Sequence, residues 1–227
     1  MRDLPKTIFV CLLLFAPGQF ARGADTNSHD FAKWENDIAA FEKADRTNPP
    51  PKHAILFAGS STIRLWTTLA SDFPNYRVIN RGFGGSEIVD STHFADRIIF
   101  PCEPRMIILR AGGNDLWAGK SAEQVADDYR EFAAKMHAKL PETVIAFMAW
   151  NATPSRWKQA DKEKKLNTLV EEFSKGQPYL RYIDAYSVSI GPDGLPRREL
   201  FRQDQLHFNA DGYKLLAERV RPFLPKD

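Results

Sequence analysis

The chain has 227 residues, 43% of them hydrophobic and 26% charged, and its formal net charge is +2 at pH 7. This length suits one domain with a sizeable core. The near-neutral charge, without a basic stripe, excludes a nucleic-acid-binding protein.

Residues 1–23 are a predicted signal peptide. Two basic residues precede an apolar stretch between positions 7 and 17, and the small residues Ala21 and Gly23 have the spacing that a signal peptidase recognises. The apolar stretch is shorter than the roughly 20 residues that a membrane-spanning helix needs. We therefore expect an exported protein, periplasmic or extracellular, without an integral membrane segment after cleavage.

Residues 24–227 are predicted to form a single domain. Cleavage removes three basic residues and one acidic residue from the 31 and 29 in the chain, which leaves 28 of each and a net charge of about zero. Cys102 is then the one remaining cysteine, so the sequence excludes an intrachain disulfide and a metal site built on thiolates.

The first predicted element is an amphipathic helix within residues 24–52, because apolar residues recur there at helical spacing, namely Phe31, Trp34, Ile38 and Phe41. The prolines at 49–51 end this helix and lead into the first strand. Strand patterns then alternate with helical patterns. The strands are predicted at 54–58, 76–80, 105–110, 143–150 and 180–184, and the helices at 86–98, around 125–136, at 158–175 and at 209–223.

This alternation predicts a doubly wound α/β fold with a five-stranded, mainly parallel sheet. In such a sheet the loops at the carboxyl ends of the strands form the functional site. Ser61 follows the first strand, residues 82–85 follow the second, and residues 112–115 follow the third. We therefore expect these three loops to meet.

Ser61 directly precedes a helical pattern, where its hydroxyl can act as a nucleophile beside the first N–H groups of the helix. The alternative is that Ser60 or Ser61 simply caps that helix. A serine nucleophile needs a base, and Asp204 and His207 lie three residues apart just before the last helix. A neutral His207 accepts the Ser61 proton, and Asp204 holds the imidazole in the required tautomer.

Two glycine-containing loops offer hydrogen-bond donors for a developing oxyanion. The 82–85 loop presents the Gly85 N–H, and Asn114 in the next loop offers its side-chain NH2. A phosphate cradle is disfavoured because Glu87 stands where the dinucleotide motif has its third glycine. A plain tight turn in the first loop, and capping by Asn114 or Asp115 in the second, remain alternatives.

Four sequence blocks together resemble the SGNH (GDSL-type) hydrolase family; they are Gly59-Ser60-Ser61, Gly82-Phe83-Gly84-Gly85, Gly112-Gly113-Asn114-Asp115 and Asp204-Gln205-Leu206-His207. The resemblance implies a flavodoxin-like three-layer α/β/α fold and hydrolysis of esters or thioesters, with no cofactor or metal. It implies Ser61 as nucleophile, His207 as base and Asp204 as the group that orients the base. It also implies that the Ser61 N–H, the Gly85 N–H and Asn114 donate to the oxyanion.

The sequence departs from the family pattern at Ser60, where Gly-Asp-Ser is replaced by Gly-Ser-Ser, and it resembles a subgroup with this substitution. The replaced aspartate is not the triad acid, so we expect the chemistry to survive. A hydrogen bond that braces the nucleophile turn is expected to be lost or to be replaced by the Ser60 hydroxyl.

The predicted function is an exported serine esterase that acts on a small-molecule, carbohydrate or lipid ester, with short acyl or O-acetyl groups favoured. Trp117 and Trp150 lie near strand-end loops and Arg156 lies in the loop after the fourth strand, and these three are candidate substrate contacts. The alternatives on the same fold are a non-catalytic carbohydrate-binding or cell-envelope interaction protein and a nucleotide-binding module. No oligomeric state is predicted.

Overall fold

The structure is a computed structural model, and it describes residues 29–225. The predicted signal peptide, residues 1–23, lies outside the described residues. A compact unit begins at Phe31, and the elements given below belong to it. No helix among the described residues combines the length and the apolar character that crossing a membrane requires.

One five-stranded sheet runs through residues 29–225, and its strands are β1 (Ile55–Gly59), β2 (Val78–Gly82), β3 (Met106–Arg110), β4 (Val144–Met148) and β5 (Leu180–Ile183). Neighbouring strands are parallel throughout, in the order β2-β1-β3-β4-β5. The predicted doubly wound fold with a parallel sheet is therefore confirmed. The direction of winding reverses between β1 and β3, which opens a crevice at the carboxyl ends of these strands.

The three strands around this crevice end at the same level. Gly59 is in register with Gly82 of β2 and with Arg110 of β3. The strand β2 begins two residues later than predicted, because the Tyr76 N–H donates to the Phe73 carbonyl in a turn and so keeps residue 76 out of the sheet. The loops that follow β1, β2 and β3 consequently start side by side.

Helices cover both faces of the sheet. In the part of the chain that the structure describes, they are α1 (Glu35–Thr47), α2 (Ser61–Arg64), α3 (Leu69–Asp72), α4 (Ile88–His93), α5 (Ala95–Ile98), α6 (Gly113–Trp117), α7 (Ala122–Lys139), α8 (Ala160–Lys175) and α9 (Ala210–Val220). Shorter 3-10 turns lie at Phe31–Trp34, Phe100–Cys102, Pro154–Gln159, Ser187–Ser189, Arg198–Leu200 and Arg221–Phe223.

The central strands are buried because their side chains alternate between two apolar clusters. Leu56 and Leu109 pack with α1, α4, α5, α7 and α8 on one face. Phe57 and Ile108 pack with α2, α3 and α9 on the other face. Each fully buried side chain of this kind stabilises the fold by about 1.5–3 kcal/mol relative to an exposed one. The arrangement is the expected three-layer α/β/α sandwich.

The helix predicted at 86–98 is instead two helices, α4 and α5. Phe94 separates them with a ψ of 5°, and its ring is buried edge-on against Phe83. At the end of the chain, the predicted cap of α9 is present, because the Asn209 side-chain oxygen accepts from the Gly212 N–H at 3.0 Å. The short helix α6, which follows β3 after two intervening residues, was not predicted.

Candidate active site

Ser61 is the first residue of α2, directly after the turn that ends β1. Gly59 allows this turn, because its φ is +128° and a side chain there would lie 2.1 Å from the Arg110 carbonyl oxygen. Ser60 occupies the cap position of α2 but makes no capping hydrogen bond. Its hydroxyl is buried without a hydrogen-bond partner among residues 29–225, so Ser60 does not replace the expected brace.

The Ser61 hydroxyl meets the His207 imidazole. The distance from Ser61 Oγ to His207 Nε2 is 3.0 Å, and His207 Nδ1 lies 2.7 Å from Asp204 Oδ2. In the neutral imidazole, Nδ1–H donates to Asp204 while Nε2 accepts from the Ser61 hydroxyl. The structure thus brings together the three residues predicted for the triad, across 146 positions of sequence.

Asp204 and His207 lie on one tight loop. Phe201 and Phe208 form an antiparallel bridge at the base of this loop, and their rings stack with centroids 5.1 Å apart. Asp204 Oδ1 accepts from the N–H groups of Leu206 at 2.9 Å and His207 at 3.0 Å. The acid and the base are therefore held to each other by local contacts.

The Asp204 carboxyl remains ionised. Burial acts to raise its pKa, but hydrogen bonds from the His207 backbone and side chain and from the Leu206 N–H outweigh burial and lower the pKa to about 2. An ionised carboxylate at this place can stabilise a positive charge on the adjacent imidazole.

The loop that follows β2 packs directly on α2. A Cβ on Gly82 would lie 2.2 Å from the Arg64 backbone nitrogen, so a glycine is required for this close approach. Gly85 follows with a φ of +80°. Within residues 29–225, the N–H groups of Gly85 and Ser61 donate to no protein acceptor, and both are free to bind an oxyanion.

Asn114 lies in α6, which begins where Gly112 turns the chain with a φ of +117°. Its Nδ2 donates to the Ser86 carbonyl at 3.0 Å, and its Oδ1 accepts from the Arg156 guanidinium at 3.0 Å. Because Ser86 follows Gly85, the first bond ties the loop after β3 to the loop after β2. The second N–H of the Asn114 amide is left as a donor.

Asp115 braces the same two loops from below. It is fully buried, its Oδ1 accepts from the Ile88 N–H at 3.1 Å, and Lys120 Nζ lies 3.6 Å away. Burial raises the pKa of Asp115 to about 7, against the opposing effect of the Lys120 charge. In the described part of the chain, no three His, Cys, Asp or Glu side chains are grouped as a metal site would need.

The candidate substrate contacts differ in exposure. Trp117 is 59% exposed, and the Arg156 guanidinium stacks over its ring at 4.9 Å. Trp150, also a predicted substrate contact, is only 5% exposed. A Cβ on Gly113 would lie 2.0 Å from the Trp150 indole, so this ring fills the space beneath the Asn114 turn.

Arg110 is a buried support that was not predicted. Its guanidinium donates to the Ala149 carbonyl and to the Asn151 side-chain oxygen, and it lies 4.9 Å from the Trp150 ring. These contacts tie the end of β3 to the loop after β4. The sequence signal is an arginine at the end of an otherwise apolar strand.

The model of the GDSL-like lipase/acylhydrolase family matches residues 57–215. This range is more than half of the chain and contains the candidate site residues Ser61, Gly85, Asn114, Asp204 and His207. The chain belongs to the GDSL-like lipase/acylhydrolase family. The predicted resemblance to SGNH (GDSL-type) hydrolases is therefore confirmed, and membership of this GDSL family implies ester hydrolase chemistry.

Solved structures share the fold of this GDSL-family protein at low sequence identity. A Streptococcus pneumonia protein, provisionally described as a platelet activating factor, has a TM-score of 0.76 and 17% identity over 86% of this chain and 94% of that chain. A GDSL-like lipase from Bacteroides thetaiotaomicron has a TM-score of 0.66 and 15% identity over 86% and 96%. A mutant acetyl-xylooligosaccharide esterase from Geobacillus Stearmophilus has a TM-score of 0.62 and 14% identity over 78% and 97%. No curated protein matches.

Proposed function

We propose that this protein is an exported serine esterase that hydrolyses carboxylic esters through an acyl-enzyme on Ser61. The proposal rests above all on the hydrogen-bonded chain from Ser61 to His207 to Asp204, with distances of 3.0 Å and 2.7 Å. A hydroxyl at this distance from an imidazole that a carboxylate orients is an activated nucleophile. The predicted signal peptide supports export.

In the first half-reaction, Ser61 Oγ attacks the ester carbonyl carbon and passes its proton to His207 Nε2. The carbonyl oxygen becomes an oxyanion, which accepts hydrogen bonds from the Ser61 and Gly85 N–H groups and the Asn114 side chain. The tetrahedral intermediate collapses, the bond to the alcohol oxygen breaks, and His207 returns the proton to that oxygen.

In the second half-reaction, a water molecule attacks the acyl carbon while His207 accepts one of its protons. The new oxyanion binds the same donors. Collapse then breaks the bond to Ser61 Oγ, which takes the proton back from His207, and the carboxylic acid leaves. Asp204, ionised throughout, stabilises the imidazolium in both halves.

A short acyl or O-acetyl group is the substrate that the site suits best. Ser60 is the one residue between β1 and α2, and two residues separate β3 from α6, so short loops border the nucleophile. The exposed ring of Trp117 offers a flat apolar face to a sugar ring at the edge of this site. An acetyl-xylooligosaccharide esterase shares the fold, which agrees with an acetylated carbohydrate as substrate.

The test is hydrolysis of p-nitrophenyl acetate by Ser61→Ala and His207→Ala. Each variant is expected to lose at least about 10⁴-fold in kcat/KM, because the nucleophile or its base is gone. Ser71→Ala is a matched control, since Ser71 is exposed on α3 and its hydroxyl bonds a backbone carbonyl within the same helix turn. Circular dichroism of each variant verifies that the fold is retained.

A fluorophosphonate probe separates catalysis from mere binding, because the probe reacts with an activated serine. We expect labelling of the wild type and none of Ser61→Ala. A wild type that neither reacts with the probe nor hydrolyses acetyl, butyryl and longer esters or acetylated sugars refutes the proposal. That result leaves the non-catalytic carbohydrate-binding alternative in place.

A further inference from the structure

The Arg156 guanidinium contacts the side chain of Asn114, the proposed oxyanion donor. It does so on the oxygen side of the amide, away from the NH2 group. Arg156 lies in the turn Pro154–Gln159 after β4, and the backbone departs from helical geometry at Arg156 itself, with φ −120° and ψ 26°. Its Nη1 donates to Asn114 Oδ1 at 3.0 Å and reaches the Gly113 carbonyl at 3.5 Å. None of the catalytic steps above uses this contact.

The two partners of the Asn114 side chain determine which way its amide faces. The Ser86 carbonyl can only accept a hydrogen bond, and the guanidinium can only donate one. Nδ2 therefore faces Ser86 and Oδ1 faces Arg156. A flipped amide places two oxygens against each other at Ser86 and turns Oδ1 toward the developing oxyanion, which it repels.

Arg156 is itself held in place. Its guanidinium stacks on the Trp117 ring at 4.9 Å, and Trp117 belongs to the same helix as Asn114. Arg156 is charged at neutral pH, so its bond to Oδ1 is charge-assisted and stronger than a neutral one. Such a bond draws electron density from the amide and makes the Asn114 N–H a better donor.

We propose that Arg156 is a positioning residue for the oxyanion site: it fixes the orientation of the Asn114 amide, strengthens its N–H, and acts on the reaction through Asn114. This inference rests on the proposed esterase function, because it gives Asn114 a role in the transition state. It differs from the sequence-based prediction that Arg156 contacts the substrate.

The test compares Arg156→Met, Asn114→Ala and the double variant on p-nitrophenyl acetate. Removal of an oxyanion donor typically costs about 10²–10³-fold in kcat, so we expect that loss for Asn114→Ala and about 10–10²-fold for Arg156→Met, with KM nearly unchanged. The double variant is expected to match Asn114→Ala, because a residue that acts through another adds nothing once the other is gone.

The rate of reaction with fluorophosphonate gives a second readout, because the phosphoryl oxygen of the probe occupies the oxyanion site. Arg156→Met is expected to slow this reaction to a similar extent. Lys158→Met is the matched control, since it removes one positive charge from an exposed position of the same turn. We expect the control to keep the wild-type values.

Losses that multiply in the double variant overturn the inference, and so does a raised KM with an unchanged kcat, which marks a substrate contact. If Arg156→Met loses its native circular dichroism, Arg156→Gln replaces it; this variant keeps a donor without the charge and is expected to lose less kcat. A wild type that is inactive toward esters and probe alike overturns the esterase function and this inference together. An active wild type, combined with kcat losses that multiply in the double variant, overturns the Arg156 inference alone.

Discussion

Asp115 is expected to make the stability of the fold depend on pH. Its carboxyl is fully buried, and Oδ2 has no hydrogen-bond partner among the described residues. Burial raises its pKa from an ordinary 3.8 to about 7, and the Lys120 charge and the Ile88 N–H oppose burial only in part. We therefore expect Asp115→Asn to remove a pH-dependent decrease in the free energy of unfolding.

The size of the effect follows from the difference in pKa. In the unfolded chain Asp115 ionises near 3.8, whereas in the folded protein it keeps its proton up to about 7. Between these values the folded state binds more protons, so the free energy of unfolding falls as pH rises. A difference of about 3 in pKa, at 1.36 kcal/mol for each, corresponds to about 4 kcal/mol. The free energy of unfolding falls by this amount between about pH 4 and pH 7.

The measurement is urea unfolding, followed by circular dichroism, across about pH 4 to pH 8. Relative to the wild type, Asp115→Asn is expected to gain about 4 kcal/mol over this range, because a neutral amide has no ionisation to suppress. Asp127→Asn is the control: Asp127 is exposed and pairs with Arg130 on the surface, so its effect is expected to stay below about 1 kcal/mol. A constant difference between Asp115→Asn and the wild type at all pH values refutes the reasoning.

Gly113→Ala is expected to destabilise the fold by about 3 kcal/mol, because its Cβ would lie 2.0 Å from the Trp150 indole; an unchanged melting temperature contradicts this. Ser60→Ala is expected to leave stability unchanged or to raise it by up to about 1 kcal/mol, because it deletes a buried hydroxyl without a hydrogen-bond partner among the described residues. Urea unfolding measures the change. A clear loss of stability points to a hydrogen bond that the structure lacks. The kcat is expected to fall toward acid pH, because the proposed reaction needs a neutral imidazole as its base. The Asp204 carboxyl, with a pKa of about 2, stays ionised over this range. A profile that is flat down to about pH 4 assigns the base elsewhere.

The sheet and the pairing of Asp204 with His207 could be predicted because their signals are local. The strand predicted at 105–110 contains an uninterrupted apolar run at 106–109, which is typical of a parallel strand buried on both faces. Asp204 and His207 stand close enough in sequence to show their pairing. Their link to Ser61 is expected because Ser61 follows the first strand and the pair lies just before the last helix.

The remaining features depend on side chains that are distant in sequence. Trp150 follows a strand, as a pocket residue does, and its burial results from a glycine at 113 that leaves room for the indole. Phe94 continues a helical pattern, but its ring is buried beside Phe83 and the helix ends there. The contact between Arg156 and Asn114 spans 42 positions, and no motif reports it.

The loop between Phe201 and Phe208 carries both Asp204 and His207. The contact between His207 and Ser61 is therefore the one that depends on how this loop lies against α2. A perturbation that shifts this loop moves Asp204 and His207 together as a rigid unit. The imidazole keeps its hydrogen bond to Asp204, and with it its tautomer, while the distance from its Nε2 to the Ser61 hydroxyl lengthens. A change that shifts the whole loop therefore lengthens the contact between His207 and Ser61 and leaves the pair of Asp204 and His207 intact, whereas a change within the loop disturbs that pair itself.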